Sequence, residues 1–486
     1  MSVISISFLA FVAFVFVGYF ALPMKIRPYW LLVTSLGFYA CFDLKYFLLW
    51  GFCVVSTYLA ARYFERADEK CKISKKFILI LTIVLNIGLL VFVKFYGFSM
   101  SLLETVFQTE LEKISVIVPL GIAFYTLQAV SYCADVYKGK YAAEKNLAKY
   151  TLYMSYFPII MQGPISRYNQ LSVTLFEGHK FSFARMKSGL SLALWGFFKK
   201  MVIADRAAIL VNQVFGSYAE YKGLEIMIAV FWYTIQLYAD FSGCVDISRG
   251  VSEVLGIDLI DNFKHPYFAT SIKDFWRRWH ISLSSWFRDY IYIPLGGNRK
   301  GVVRRYINLL TVFFVSGLWH GVGFNYIVWG FLHGGFQVVG ELTQGMRDKF
   351  YQKLHVKEDN IIYKFWKQFC TFCLVAYAWL FFRASGVKAA VDMTISALTN
   401  FNPEIFWNGR VFQLGLGAKD WLVLLVACLV LLIVSTMQEK GSVRQKIEAQ
   451  NTWVRWTIYI VAVFTILILG IYGPGFDSSQ FLYMQF

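Results

Sequence analysis

Long apolar runs recur along the chain and are separated by short polar stretches. A helix needs about 20 residues to cross hydrocarbon. The clearest runs cover residues 3–22, 46–64, 77–98, 114–136, 224–238, 324–342, 365–382, 421–434 and 454–470. Shorter or more polar candidates lie at 29–42, 147–160, 190–203 and 306–319. The pattern predicts an all-α polytopic membrane protein with about eleven to fourteen membrane segments, some of them incomplete spans. No run alternates with the two-residue period of a membrane β-barrel. The first run has nothing basic before it and exceeds the apolar core of a signal peptide, so it reads as a retained helix.

Composition agrees. The 486 residues are 58% hydrophobic and 16% charged, against about 25% charged in a soluble protein. This excludes an ordinary soluble enzyme, a disordered chain and a secreted disulfide scaffold. The formal charge of +17 does not call for nucleic acid. Basic residues gather in alternate loops: Lys25 and Arg27, then Arg62, Arg66, Lys70, Lys72, Lys75 and Lys76, then Lys138, Lys140, Lys145 and Lys149. The loop expected at 99–113 carries Glu104, Glu110 and Glu112 instead. Basic loops stay cytosolic, so the N-terminus is expected outside a cell membrane. The eight cysteines are scattered. Cys370 and Cys373 form a lone C-x-x-C in an apolar run, which reads as small packing side chains.

Residues 256–305 break the pattern, being too polar to span and too aromatic for a solvated loop. Ser271 and Asp274 fit a capping box. From there Phe275, Trp279, Leu283, Trp286 and Tyr290 recur at helical spacing, which predicts one amphipathic helix, with Arg278, Ser282, Ser285 and Asp289 on another face. Such a helix lies in the membrane interface or dips into the protein. Pro294, Gly296 and Gly297 end it, and Arg299, Lys300, Arg304 and Arg305 place the turn on the cytosolic side.

The next apolar run ends at His320, flanked by Gly317, Gly321 and Gly323. An ionisable residue at membrane depth beside breakable backbone is a functional candidate. On an unbroken helix His333 would face about 220° away from His320, but the intervening glycines undercut that angle, and His333 reads as a packing or supporting residue. His265 adjoins a proline turn, and His179 and His355 fall in polar loops. Asp240 and Ser242 follow the 224–238 run, where an acid pairs with a base or caps a helix. The run 157–167, FPIIMQGPISR, interrupts a helix with Pro158, Gly163 and Pro164, as broken helices do around a cavity or a buried site.

Together the segments YADFSGCVD (238–246), FWRRWHISLSSWFRDYIYIPLGGNR (275–299), GLWHG (317–321), WGFLHG (329–334), AWLFFRAS (378–385) and the terminal FLYMQF (481–486) resemble the membrane-bound O-acyltransferase (MBOAT) family. The likeness is closest to its AlgI-like bacterial polysaccharide O-acetyltransferase branch, and covers about half the chain. The IPLGGNR turn favours that branch over the DltB-like one that transfers D-alanine to teichoic acids. Gln162 before GPI and Cys244 depart from the usual pattern.

The resemblance implies a single integral membrane domain over 1–486, with N-terminal helices 1–145, a catalytic core 146–390 and C-terminal helices 391–486. It implies a ring of helices, some re-entrant or interfacial, around a funnel or tunnel. His320 would be the catalytic histidine and His280 a second active-site histidine on the cytosolic side. It implies no bound cofactor, acetyl-CoA or another acyl thioester as the cytosolic co-substrate, and an extracytosolic polysaccharide as the acceptor. The branch often works with a separate SGNH-type transferase, which is expected as a partner here beside the bilayer.

Chemistry fits those roles. A sugar hydroxyl needs a base to attack a thioester, and histidine titrates near the working pH. Trp276, Arg277, Arg278, Trp279, Arg288, Arg299 and Trp319 are candidates for holding the donor, the arginines by its phosphates. Trp279, Trp319 or His280 are candidate oxyanion donors. The arginines equally suit positive-inside anchoring. From another class, a transporter or pore stays as the alternative; inverted repeats would mark it, and none is seen.

Overall fold

The computed structural model describes residues 3–67, 73–112, 116, 118–357 and 360–472. The terminal FLYMQF segment, Lys70, Lys72 and part of the 114–136 run lie outside these. Every regular element among the described residues is helical, as the apolar runs predict. Ser5, Asn146, Asn360 and Asn451 start four of the helices, their side-chain oxygens accepting N–H bonds from the first turn.

Among the described residues seven helices are long and apolar enough to cross a membrane: Tyr46–Arg66, Lys75–Phe107, Leu224–Val254, Val302–His320, Ile361–Arg383, Ala418–Glu439 and Thr452–Leu469; Ile6–Ala21 is a shorter apolar helix. Several keep large apolar side chains on the outside. Examples are Val84, Val91 and Phe92, then Leu422, Leu425 and Leu429, then Val461, Phe464 and Ile468. Exposed apolar faces of this extent suit lipid and not water. The chain is a multi-pass membrane protein.

Two boundaries differ from the expected pattern. The helix Lys75–Phe107 has 33 residues and absorbs most of the loop expected at 99–113, because residues 99–107 still favour a helix although their hydropathy drops. The helix Leu224–Val254 runs well past the apolar stretch, since the polar residues after Tyr238 are buried and paired.

The helices pack as two compact units, one of residues Met1–Ala193 with Val245–Ile260, the other of Leu194–Cys244 with Asp261–Phe486. In the first, Ile122–Tyr137 is buried at every position but its last, as befits a helix at the centre of a core. Gln128 donates to the Tyr153 carbonyl at 2.9 Å, and Thr57 and Tyr150 share a hydroxyl bond at 2.7 Å. The 147–160 segment breaks at Tyr156, just before the 157–167 run, into Leu147–Ser155 and Phe157–Ile160. The chain around the break, including Gln162, Ser166 and Arg167, is buried. His179 is not a solvated loop residue. Its backbone N–H reaches the Tyr19 hydroxyl at 3.1 Å, its ring meets the Thr174 carbonyl, and its own carbonyl accepts from Arg27.

The second unit contains every candidate site residue. Its helices Val302–His320 and Phe324–Leu342 are joined by a short turn and pack antiparallel. Gly317 lies against the Tyr326 carbonyl and Gly330 against the Phe313 carbonyl; a Cβ would come within 2.5 and 2.3 Å of those oxygens. Only glycine permits this approach, and it presses the face bearing Trp329 and His333 toward the end of the His320 helix.

Candidate active site

The amphipathic segment folds from Ser271 onward as the sequence suggests, but not as one helix. Ser271 accepts from the Asp274 N–H at 3.1 Å, and the Asp274 carboxylate reaches back to the Thr270 N–H at 3.3 Å. The helix Ile272–Arg278 then stops. His280 takes a left-handed backbone conformation, φ 43°, before Ile281–Phe287 resumes. The break has a partner strand of chain. Lys264 N–H donates to the Arg278 carbonyl at 2.9 Å, and Ile281 N–H donates to the Asn262 carbonyl at 3.0 Å. The Asn262 side-chain oxygen accepts from the Ser282 N–H and hydroxyl and lies 3.3 Å from His280 Nδ1. These bonds replace those of a continuous helix and turn the His280 ring inward. Phe275, Trp279, Leu283 and Trp286 are all buried, so the segment dips into the protein.

His280 is fully buried, its ring 4.8 Å from Phe241 and 6.2 Å from Trp319. Burial pushes its imidazole down to about 3, because a charged ring cannot be solvated there. His280 is therefore neutral near pH 7.

His320 is the last residue of its helix; Gly321 continues in extended backbone. At 2% exposure it is enclosed by aromatic rings: Trp319 at 4.8 Å, Trp329 at 5.0 Å and Phe382 at 5.3 Å. The chain reverses after His320, so the angle of an unbroken helix does not apply to His333. On the returning helix, His333 lies 5.1 Å from the same Trp329 ring, and it is fully buried. The angular argument fails because the two histidines do not share a helix. Trp276 donates its indole N–H to His333 Nδ1 at 3.3 Å. Trp279 stacks with Phe275 at 5.5 Å and meets Trp379 at 5.2 Å.

A cavity of about 450 Å³ lies beside this cluster, with Trp276, Arg277, Arg288, Phe313 and Ser316 in its walls. Lys273 and Arg305 line it as well, holding Glu341 at 3.5 and 2.8 Å. Arg305 is legible in the sequence only as one of the basic residues that place the turn, and Lys273 is not singled out there. Arg278 is committed elsewhere, to Asp274 at 3.1 Å and Glu439 at 3.0 Å. Arg299 is not among the lining residues.

Asp240 is not at a helix end. It sits mid-helix and pairs with Lys200 at 2.7 Å, which also holds Asp205 at 2.7 Å. Ser242 accepts from Lys199 at 2.8 Å. All five are buried. The lysines occupy a π-helical turn, Phe198–Ala204, packed where Gly243 leaves room beside Gly196 and Lys200. Phe241, between Asp240 and Ser242, touches His280. Among the described residues no His, Cys, Asp or Glu cluster suits a metal ion.

The site thus sets a buried histidine at a helix end, inside an aromatic cage and beside a basic cavity; the comparisons give its class. Residues 143–387 match the MBOAT, membrane-bound O-acyltransferase family. The chain belongs to that family and is an acyltransferase. Among its relatives is the "Probable alginate O-acetylase AlgI" of Pseudomonas putida, 34% identical over 78% of this chain and 76% of the relative. The "Peptidoglycan O-acetyltransferase" of Helicobacter pylori is 31% identical over 79% and 77%. The "Teichoic acid D-alanyltransferase" of Bacillus subtilis is 29% identical, over only 44% and 56%. The AlgI-like branch is thus the one the chain resembles over most of its length.

Proposed function

We propose that the chain transfers acetyl groups from cytosolic acetyl-CoA to an extracytosolic polysaccharide, directly or through an SGNH-type partner transferase. The observation that carries the reading is His320, buried in its aromatic cage at a helix end. The broad match to acetyltransferases, against a partial match to a D-alanyltransferase, favours acetyl as the group moved. His320 acts as general base, taking the proton of the attacking hydroxyl. A positioned base contributes about 10²–10⁴-fold, and holding donor and acceptor together contributes further through lost encounter entropy. Arg277 and Arg288, with Lys273 and Arg305, offer cations for the coenzyme A phosphates. His280 supports the site from the Phe241 and Trp319 side.

Purified protein given acetyl-CoA in native-membrane vesicles should release coenzyme A and acetylate glycan. His320→Ala should abolish both while inserting normally; retained transfer by that variant would overturn the assignment. Unconsumed acetyl-CoA with turnover of a carrier-linked D-alanyl thioester would replace acetyl by D-alanyl. A His280→Ala protein with normal turnover would reduce that residue to scaffold. The partner is tested in liposomes: complete polymer acetylation by this chain alone would remove it.

A further inference from the structure

We infer that the helix Phe324–Leu342 carries the hydrogen-bond donors for the acyl oxygen, namely the indole N–H of Trp329 and the Nε2–H of His333. The inference rests on the acyl-transfer reading of His320 and deepens it.

Both residues are fully buried. They stand four positions apart, so their side chains lie one turn apart on one face, with rings 5.1 Å from each other. Because His333 Nδ1 accepts the Trp276 N–H, the ring's own N–H is at Nε2. Among the described residues neither Trp329 Nε1 nor His333 Nε2 meets an acceptor. Buried N–H groups are nearly always paired, and leaving one unpaired is costly. Two such donors on one helical turn, one of them on a ring 5.0 Å from His320, define a place for an oxygen acceptor beside the base. The close glycine contacts at Gly317 and Gly330 hold that turn where it stands.

The chemistry supplies the acceptor. The hydroxyl oxygen bonds to the thioester carbonyl carbon, and the hydroxyl proton passes to His320. The C=O π pair moves onto the acyl oxygen, which becomes anionic. Trp329 and His333 donate to that oxygen without giving up their protons. When the intermediate collapses, C=O re-forms and the C–S bond breaks. The sulfur takes the electron pair and then the proton held by His320, leaving an ester and a free thiol. Donors already in place for the developing charge need no reorganisation during reaction.

The test separates this role from packing. Site-specific replacement of Trp329 by β-(3-benzothienyl)alanine keeps the ring shape and removes only the N–H; Trp329→Phe is the simpler companion. Turnover should fall about 10²–10³-fold with the donor KM changed less than about threefold. His333→Phe should also slow turnover, and His333→Gln, which restores an N–H, should recover much of it. Isotope-edited infrared spectra of [1-13C]acetyl-CoA bound to the His320→Ala protein should show a carbonyl stretch moved to lower frequency. The shift should shrink when the benzothienyl residue is added. An unchanged stretch together with near-normal turnover of the benzothienyl protein would overturn the assignment. If the wild type neither binds nor consumes acetyl-CoA, the acetyl-transfer reading itself fails, a result distinct from the former.

Discussion

Two buried polar clusters in the same unit are built on opposite principles. Around Lys200 the groups are charged and matched, one ammonium between two carboxylates at 2.7 Å. Around His320 they are neutral and boxed by aromatic rings, with N–H groups of Trp329 and His333 that meet no acceptor among the described residues. A buried charge must be paired or it unfolds its surroundings. An unpaired neutral donor in an apolar box costs less than an unpaired charge. The first cluster therefore locks helices, and the second suits the chemistry proposed for it.

The largest expected effect tests the second half of this contrast. His320→Ala should lower acyl transfer by about 10²–10⁴-fold, read as coenzyme A release, with an unchanged melting temperature. Next comes the first half. Lys200→Met strands two carboxylates and should cost about 3–5 kcal/mol, seen as a lower melting temperature and yield. Turnover per folded molecule should stay within a few-fold, and adding Asp205→Asn and Asp240→Asn should restore much of the stability. A Lys200→Met protein that melts normally but does not turn over would erase the distinction.

Smaller effects sharpen the boundary between the clusters. Arg277→Gln or Arg288→Gln should each raise the donor KM about tenfold, equal to about 1.4 kcal/mol, with kcat little altered. Arg278→Gln breaks a partly exposed pair worth about 0–1 kcal/mol and should leave KM alone. A separate effect is a pH slope. His280 titrates near 3 in the folded protein against an ordinary 6.5, so the unfolded chain binds the extra proton between these values. The stability tied to the neutral ring is complete above pH 6.5 and falls as pH drops toward 3, by at most about 1.4 kcal/mol per pH unit. Thermal melts from pH 7.5 to 4.5 should show a shallower slope for His280→Asn; an equal slope would place His280 in contact with water.

How much of this was legible follows from what each signal depends on. Apolar length marks helices because lipid demands it, and Ser271 announces its helix because capping is local. His320 stood out as an ionisable residue beside glycines. The break at His280 was hidden, since it depends on Asn262 and Lys264 far upstream in sequence. The periodic stripe from Phe275 to Tyr290 reads the same whether the helix is continuous or broken. Lys200 was passed over within an apolar run, although a lysine there demands an acid, and Asp240 was in view. Trp329 was quoted within a motif, but its nearness to His320 required the chain to reverse at Gly321–Gly323, which a continuous-helix calculation forbids.

That His320 closes its helix also bears on how the gene can change. Each residue inserted or deleted between Val302 and His320 turns the terminal ring by about 100° and shifts it about 1.5 Å along the axis. The lipid-facing positions of this helix accept many apolar side chains, so their spelling is free while the helix's residue count is fixed. Libraries that exchange residues in the segment should yield many functional proteins, and libraries that change its length by one should yield almost none.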